Sequence, residues 1–145
     1  MLSTRNRVLT AVLAGGAAAT LFAVPGVAGA DGTKGPTGPT QQCNQETKSG
    51  GQGVTTTNHA LGTAGPTSFT LSYDTRKRAD RIEVFYEGKR IKNTGLVGDN
   101  LRDPNRRGEG STVVNVPRGS SEIVTVTVTG PEDGTIWDYT VHCPK

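Results

Sequence analysis

Two histidines, His59 and His142, and two cysteines, Cys43 and Cys143, are the side chains of this sequence best suited to nucleophilic or metal chemistry. Acyl transfer needs a Ser or Cys held against a positioned base. No serine stands in a Gly-x-Ser-x-Gly elbow. Cys143 follows His142 directly, but both cysteines lie downstream of an apolar N-terminal stretch that reads as an export signal. In an oxidising compartment they are expected to pair with each other, which removes the thiol a Cys-His nucleophile requires. The histidines lack His-x-x-x-His or Cys-x-x-Cys spacing, so zinc is not expected and both read as surface residues.

Hard oxygen ligands for calcium are another option on the end loops of an extracellular β domain. Asp74 and Asp80 bracket one loop, Asp99 and Asp103 lie in the longest loop, and Asp138 follows Trp137. No Asp-x-Asp-x-Asp run is present, so this is not an EF-hand. The plainer role for these carboxylates is capping turns or pairing with Arg76, Arg78, Arg81 or Arg102.

Two basic clusters complete the inventory. Arg76-Lys77-Arg78 sits in the first of those loops, and Arg102, Arg106 and Arg107 sit in the long loop Gly95–Gly110, beside Asp99, Asp103 and Glu109. If both loops lie at one end of the domain, they form a patch for an anionic polymer such as cell-wall phosphate, acidic polysaccharide or nucleic acid. No aromatics are interleaved for base stacking, which argues against nucleic acid. A solvated, mixed-charge loop is the competing reading.

The elements that must position these residues have period two. Ser68–Tyr73 places Phe69, Leu71 and Tyr73 on one face, and Arg81–Tyr86 does the same with Ile82, Val84 and Tyr86. Glu87-Gly88 predicts a two-residue hairpin turn into a return strand from Lys89 to Thr94. Ser111–Val116 is a further strand, and Ile123–Thr129 alternates valine with threonine. Trp137–Cys143 puts Trp137, Tyr139, Val141 and Cys143 on the inner face and His142 on the outer one. About seven strands and no amphipathic helix predict an all-β, antiparallel sandwich or jelly roll, stapled by one disulfide between Cys43 and Cys143.

The N-terminal third reads differently. Residues 1–30 combine Arg5 and Arg7, an apolar stretch from Val8 to Val24, and Ala28-Gly29-Ala30, the pattern of a cleaved signal peptide. Residues 31–53 contain a doubled Gly-Pro-Thr and a Gly-rich run, and are expected to be a flexible linker. The domain is expected to occupy residues 54–145. Removing the signal leaves 14 Lys+Arg against 13 Asp+Glu, a net charge of +1. The basic pI of the whole chain is therefore no argument for nucleic-acid binding.

The run Phe69-x-x-x-Tyr73, Asp80-Arg81-Ile82-x-Val84-x-Tyr86-x-Gly88, Thr94-Gly95, Val124-x-Val126-x-Val128-x-Gly130-Pro131, Gly134-Thr135-x-Trp137-x-Tyr139 and Cys143-Pro144 resembles small CUB-like and pre-peptidase-like β-sandwich modules of bacterial secreted proteins. The resemblance spans about residues 54–144. It implies an accessory or binding module, and calcium held by acidic end-loop residues, for which Asp74, Asp80 and Asp138 are the candidates. No other cofactor is expected. The functional expectation is a secreted, non-enzymatic module that binds an extracellular polymer or protein through its end loops. An extracellular protease inhibitor presenting the Gly95–Gly110 loop is the second reading, and a hydrolase the third.

Overall fold

The computed structural model describes residues 38–49 and 51–145, so the expected signal segment and the start of the expected linker lie outside the described residues. Nine strands follow in order: β1 Thr40–Gln42, β2 Glu46–Lys48, β3 Gly53–Ala60, β4 Thr67–Asp74, β5 Asp80–Tyr86, β6 Lys89–Val97, β7 Glu109–Val116, β8 Ile123–Gly130 and β9 Asp138–Val141. One sheet has the order β1-β3-β8-β5-β6 and the other β2-β9-β4-β7. All pairs are antiparallel except β1–β3, which is parallel. Among the described residues no helix is long and apolar enough to cross a membrane.

The alternation read from the sequence becomes the core of a β-sandwich. Val124, Val126 and Val128 of β8, with Ile82, Val84 and Tyr86 of β5, meet Phe69 and Leu71 of β4, Val114 and Val116 of β7, and Tyr139 and Val141 of β9. Trp137, buried just before β9, stacks on Tyr139 with ring centroids 5.8 Å apart. The two-residue turn after β5 is built as expected, with positive φ at both Glu87 (48°) and Gly88 (79°). The Glu87 carboxylate accepts the backbone N–H groups of Ser120 and Ser121 at 2.8 and 2.9 Å, which tie the β7–β8 connection to this hairpin.

The expected linker is corrected by β1 and β2. Residues 40–48 belong to the domain: β1 adds to one sheet, the chain turns at Cys43-Asn44, and β2 adds to the other. The Cys43 N–H donates to Ala60 O and the Asn44 N–H to Val141 O, while the Asn44 side chain accepts the Cys143 N–H. Strands of three residues at a sheet edge need only one inward side chain, so their composition stays polar. Here those inward groups are Gln41 and Thr47, joined by a 2.5 Å hydrogen bond. Thr47, opposite Tyr139 in the ladder, adjoins a buried polar set in which His59 Nε2 lies 2.9 Å from the Tyr139 hydroxyl. The arm is fastened by polar bonds and by the Cys43–Cys143 disulfide, whose Cα atoms are 5.0 Å apart.

His59 is a second correction. It is fully buried, on the inner face of β3 opposite Val124, where the expectation was a surface histidine. Burial holds its pKa down at about 4, and it pushes the Tyr139 phenol up to about 12 against the pull of the Thr57 and Thr47 hydroxyls.

Candidate functional site

At one end of the sandwich the β4–β5 loop meets the β6–β7 connection. The Asp99 N–H donates to Arg76 O at 2.9 Å, the Asn100 N–H to Lys77 O at 2.8 Å, and the Thr75 N–H to Gly108 O at 3.0 Å. Buried Thr75 adds a bond from its hydroxyl to Val97 O at 2.6 Å. This close approach depends on two glycines. A Cβ on Gly98 would sit 2.6 Å from Ala79 Cα, and one on Gly108 would overlap the backbone of Arg76. The two basic clusters, separate in sequence, are thereby knitted into one surface.

The connection itself is shorter than the expected Gly95–Gly110 loop, because β6 runs on to Val97 and β7 begins at Glu109. A short 3-10 turn over Asp99–Leu101 ends at Arg102 in the left-handed region, φ 50°. The Arg106 N–H donates to Asp103 O, the Gly98 N–H to Arg106 O, and the Gly108 N–H to Asp99 Oδ1. Asp99 and Asp103 are thus used in folding the loop, Asp103 through its Oδ1 bond from the Asn105 N–H. Arg76 is also left-handed, φ 56°. Two arginines held in a conformation that non-glycine residues seldom adopt mark the loops as structurally over-determined.

The cations divide into two groups. Arg76 pairs with Asp138 at 2.9 Å, Arg78 with Glu132 at 3.5 Å, and Arg106 donates through Nε to Leu96 O at 3.0 Å. Among the described residues Lys77, Arg102 and Arg107 have no ion-pair partner. Arg102 and Arg107 line a hollow of about 430 Å³ with Asp99, Asp103 and Pro104. Lys77 lines a second, of about 320 Å³, with Arg76, Arg78 and the exposed Ile136.

The candidate calcium ligands are not brought together as one centre. Asp80 lies fully buried at the start of β5, its two oxygens 2.6 and 2.7 Å from the Thr135 hydroxyl. Desolvation raises its pKa, the Thr135 hydrogen bond opposes that rise, and nearby Glu132 adds to it. Asp74 and Asp138 face each other across β4 and β9, and both are engaged by Arg76: Asp138 by its guanidinium, Asp74 by its backbone N–H. Among the described residues no three His, Cys, Asp or Glu side chains form a metal-binding group.

The outer face of the four-stranded sheet carries a pair that the sequence reading missed. Ser72 Oγ lies 2.8 Å from His142 Nε2. The two meet because β9 runs beside β4, with the His142 N–H on Thr70 O, a relation visible only once the strand order is known. Ser72 sits in mid-strand, where backbone N–H groups are committed to the β4 ladders. No pair of amides is offered there to a developing oxyanion. The bond fastens the end of β9 to β4 beside an open depression of about 880 Å³ lined by Ser68, Thr70, Val113, Asn115 and His142 among others.

No protein-family model matches this chain, and comparisons with curated proteins and with solved structures return no match.

Proposed function

We propose that this chain is an exported, non-catalytic binding module that holds an anionic polymer at the sandwich end built by the two basic loops. The observation that carries this reading is the backbone junction of residues 75–77 with 99–108, which sets Lys77, Arg102 and Arg107 on one end with no ion-pair partner among the described residues. The signal-like segment and the Cys43–Cys143 bridge suit a protein working in an oxidising compartment. The CUB-like and pre-peptidase-like residue pattern fits the same role. The reading needs no calcium: Asp138 pairs with the Arg76 guanidinium, Asp74 accepts the Arg76 backbone N–H, and Asp80 is buried against Thr135. The hydrogen-bonded turns over Asp99–Arg106 also count against a protease inhibitor, since clefts that read peptides take them extended.

Linear polyphosphate and heparin are suitable probes. Affinity should fall with salt at a log–log slope of about −2, the value for about three phosphate contacts on a flexible strand. The combined K77A, R102A and R107A changes should lower affinity roughly tenfold at low salt, at about half a kcal/mol per exposed contact, and flatten the slope. Gly108→Ala tests the junction itself. It keeps every cation yet forces the loops apart, and should weaken binding while the core melts cooperatively. Binding that ignores salt and survives the triple change would overturn the proposal.

A further inference from the structure

The two sheets present four edges, β1 and β6 in one and β2 and β7 in the other. An exposed edge is a template for pairing with another chain, and proteins blunt it with shortness, lysines, prolines or bulges. β1 and β2 have three residues each. β6 carries Lys89, Arg90 and Lys92, and its register with β5 shifts at Arg81/Glu83 and Val84/Phe85. β7 has none of these devices. Its eight residues, Glu109 to Val116, contain one charge and no proline, and they pair with β4 in unbroken register from Asp74↔Glu109 to Thr67↔Val116.

The unused backbone groups of β7 can be identified. The His142 N–H donates to Thr70 O, so Thr70 turns its polar groups toward β9. Its partner in β7 is Val113. In an antiparallel ladder the N–H and C=O of one residue point the same way, and alternate from residue to residue. Val113 therefore directs both groups away from β4, as do Ser111 and Asn115. The side chains of these three residues are also the exposed ones, Val113 at 55 %.

We propose that β7 pairs with the β7 strand of a second copy, antiparallel about a two-fold axis at Val113, merging two four-stranded sheets into one of eight. The pairing is self-complementary. Val113 meets its own copy, burying the one large apolar side chain exposed on this edge. Ser111 faces the second copy's Asn115, and Glu109 lies beside the second copy's Pro117-Arg118, so opposite charges meet at both ends. The basic loops, which adjoin Glu109, then lie at opposite ends of the merged sheet. The proposal does not depend on what those loops bind.

Sedimentation equilibrium on the chain from Asp31 onward, which contains every described strand, tests it. The weight-average mass should rise with concentration toward twice the monomer mass. Val113→Lys sets two like charges on the axis and should leave a monomer at every concentration. Asn115→Pro, which removes an outward N–H and no bond to β4, should do the same with the fold retained by circular dichroism. Val54→Lys, at a 68 % exposed residue of β3, should dimerise like the parent. A parent chain that stays monomeric at its highest soluble concentration, or a V113K variant that still dimerises, would overturn the proposal.

Discussion

Complete reduction of Cys43–Cys143, or replacement of both residues by alanine, should lower the folding free energy by up to about 4.7 kcal/mol, the chain-entropy value for a loop of about 100 residues. The bridge spans a sequence separation of 100, nearly the whole described fold. At about 4–8 °C per kcal/mol for a small domain, the melting midpoint should drop by up to about 20–40 °C. The loss is comparable to the entire stability of many domains of this size. The native side supports a large effect, because the bridged residues are already aligned. Asn44 holds the Cys143 N–H with its side chain and gives its own N–H to Val141 O, so the bridge closes without distorting its surroundings. Melts with and without reductant, with thiol titration to establish that both cysteines are free, measure it. An unchanged midpoint with two free thiols would show that the hydrogen bonds of residues 40–48 suffice alone.

That dependence explains what the sequence made legible and what it did not. Valines and aromatics alternating through Phe69–Tyr73, Arg81–Tyr86, Ile123–Thr129 and Trp137–Cys143, with the valines of Ser111–Val116, announce strands, and these supply nearly all of the observed core. The hairpin at Glu87-Gly88 is equally local. Residues 40–48 are different. Their docking rests on Thr47, Gln41 and a disulfide, so they carry no hydrophobic period and read as linker. His59 was hidden for the same reason: β3 turns Thr55, Thr57 and His59 toward the valines of β8, and an inner face made of polar residues resembles an outer one. The junction of the basic loops and the Ser72–His142 contact depend on strand order, which no single segment encodes.

His59 should also make the fold acid-labile within a definable window. Its pKa lies near 4 in the folded chain against about 6.5 when unfolded, and desolvation is the sole cause. Above pH 6.5 both states hold it neutral, and its contribution to stability is complete. Between pH 6.5 and 4 the unfolded state binds a proton that the folded state refuses. Stability therefore falls as pH falls, by about 1.4 kcal/mol per unit and about 3 kcal/mol in all. Structure gives the same sign: imidazolium is a double donor, and only the Tyr139 oxygen faces it, while His59 Nδ1 has no partner among the described residues. Asp80 acts in the opposite direction. Its raised pKa means that protonation at low pH relieves the cost of burying a carboxylate, so the pH profile of the parent alone mixes two trends. Comparison with His59→Gln separates them, since Asp80 contributes equally to both proteins. Denaturant unfolding from pH 7.5 to 4 should show the stability difference between parent and variant shifting by about 3 kcal/mol against the parent. Parallel curves would mean that His59 binds its proton as readily in the folded state as in the unfolded one. The acid response would then have to come from the carboxylates, and the His59–Tyr139 contact would be indifferent to pH.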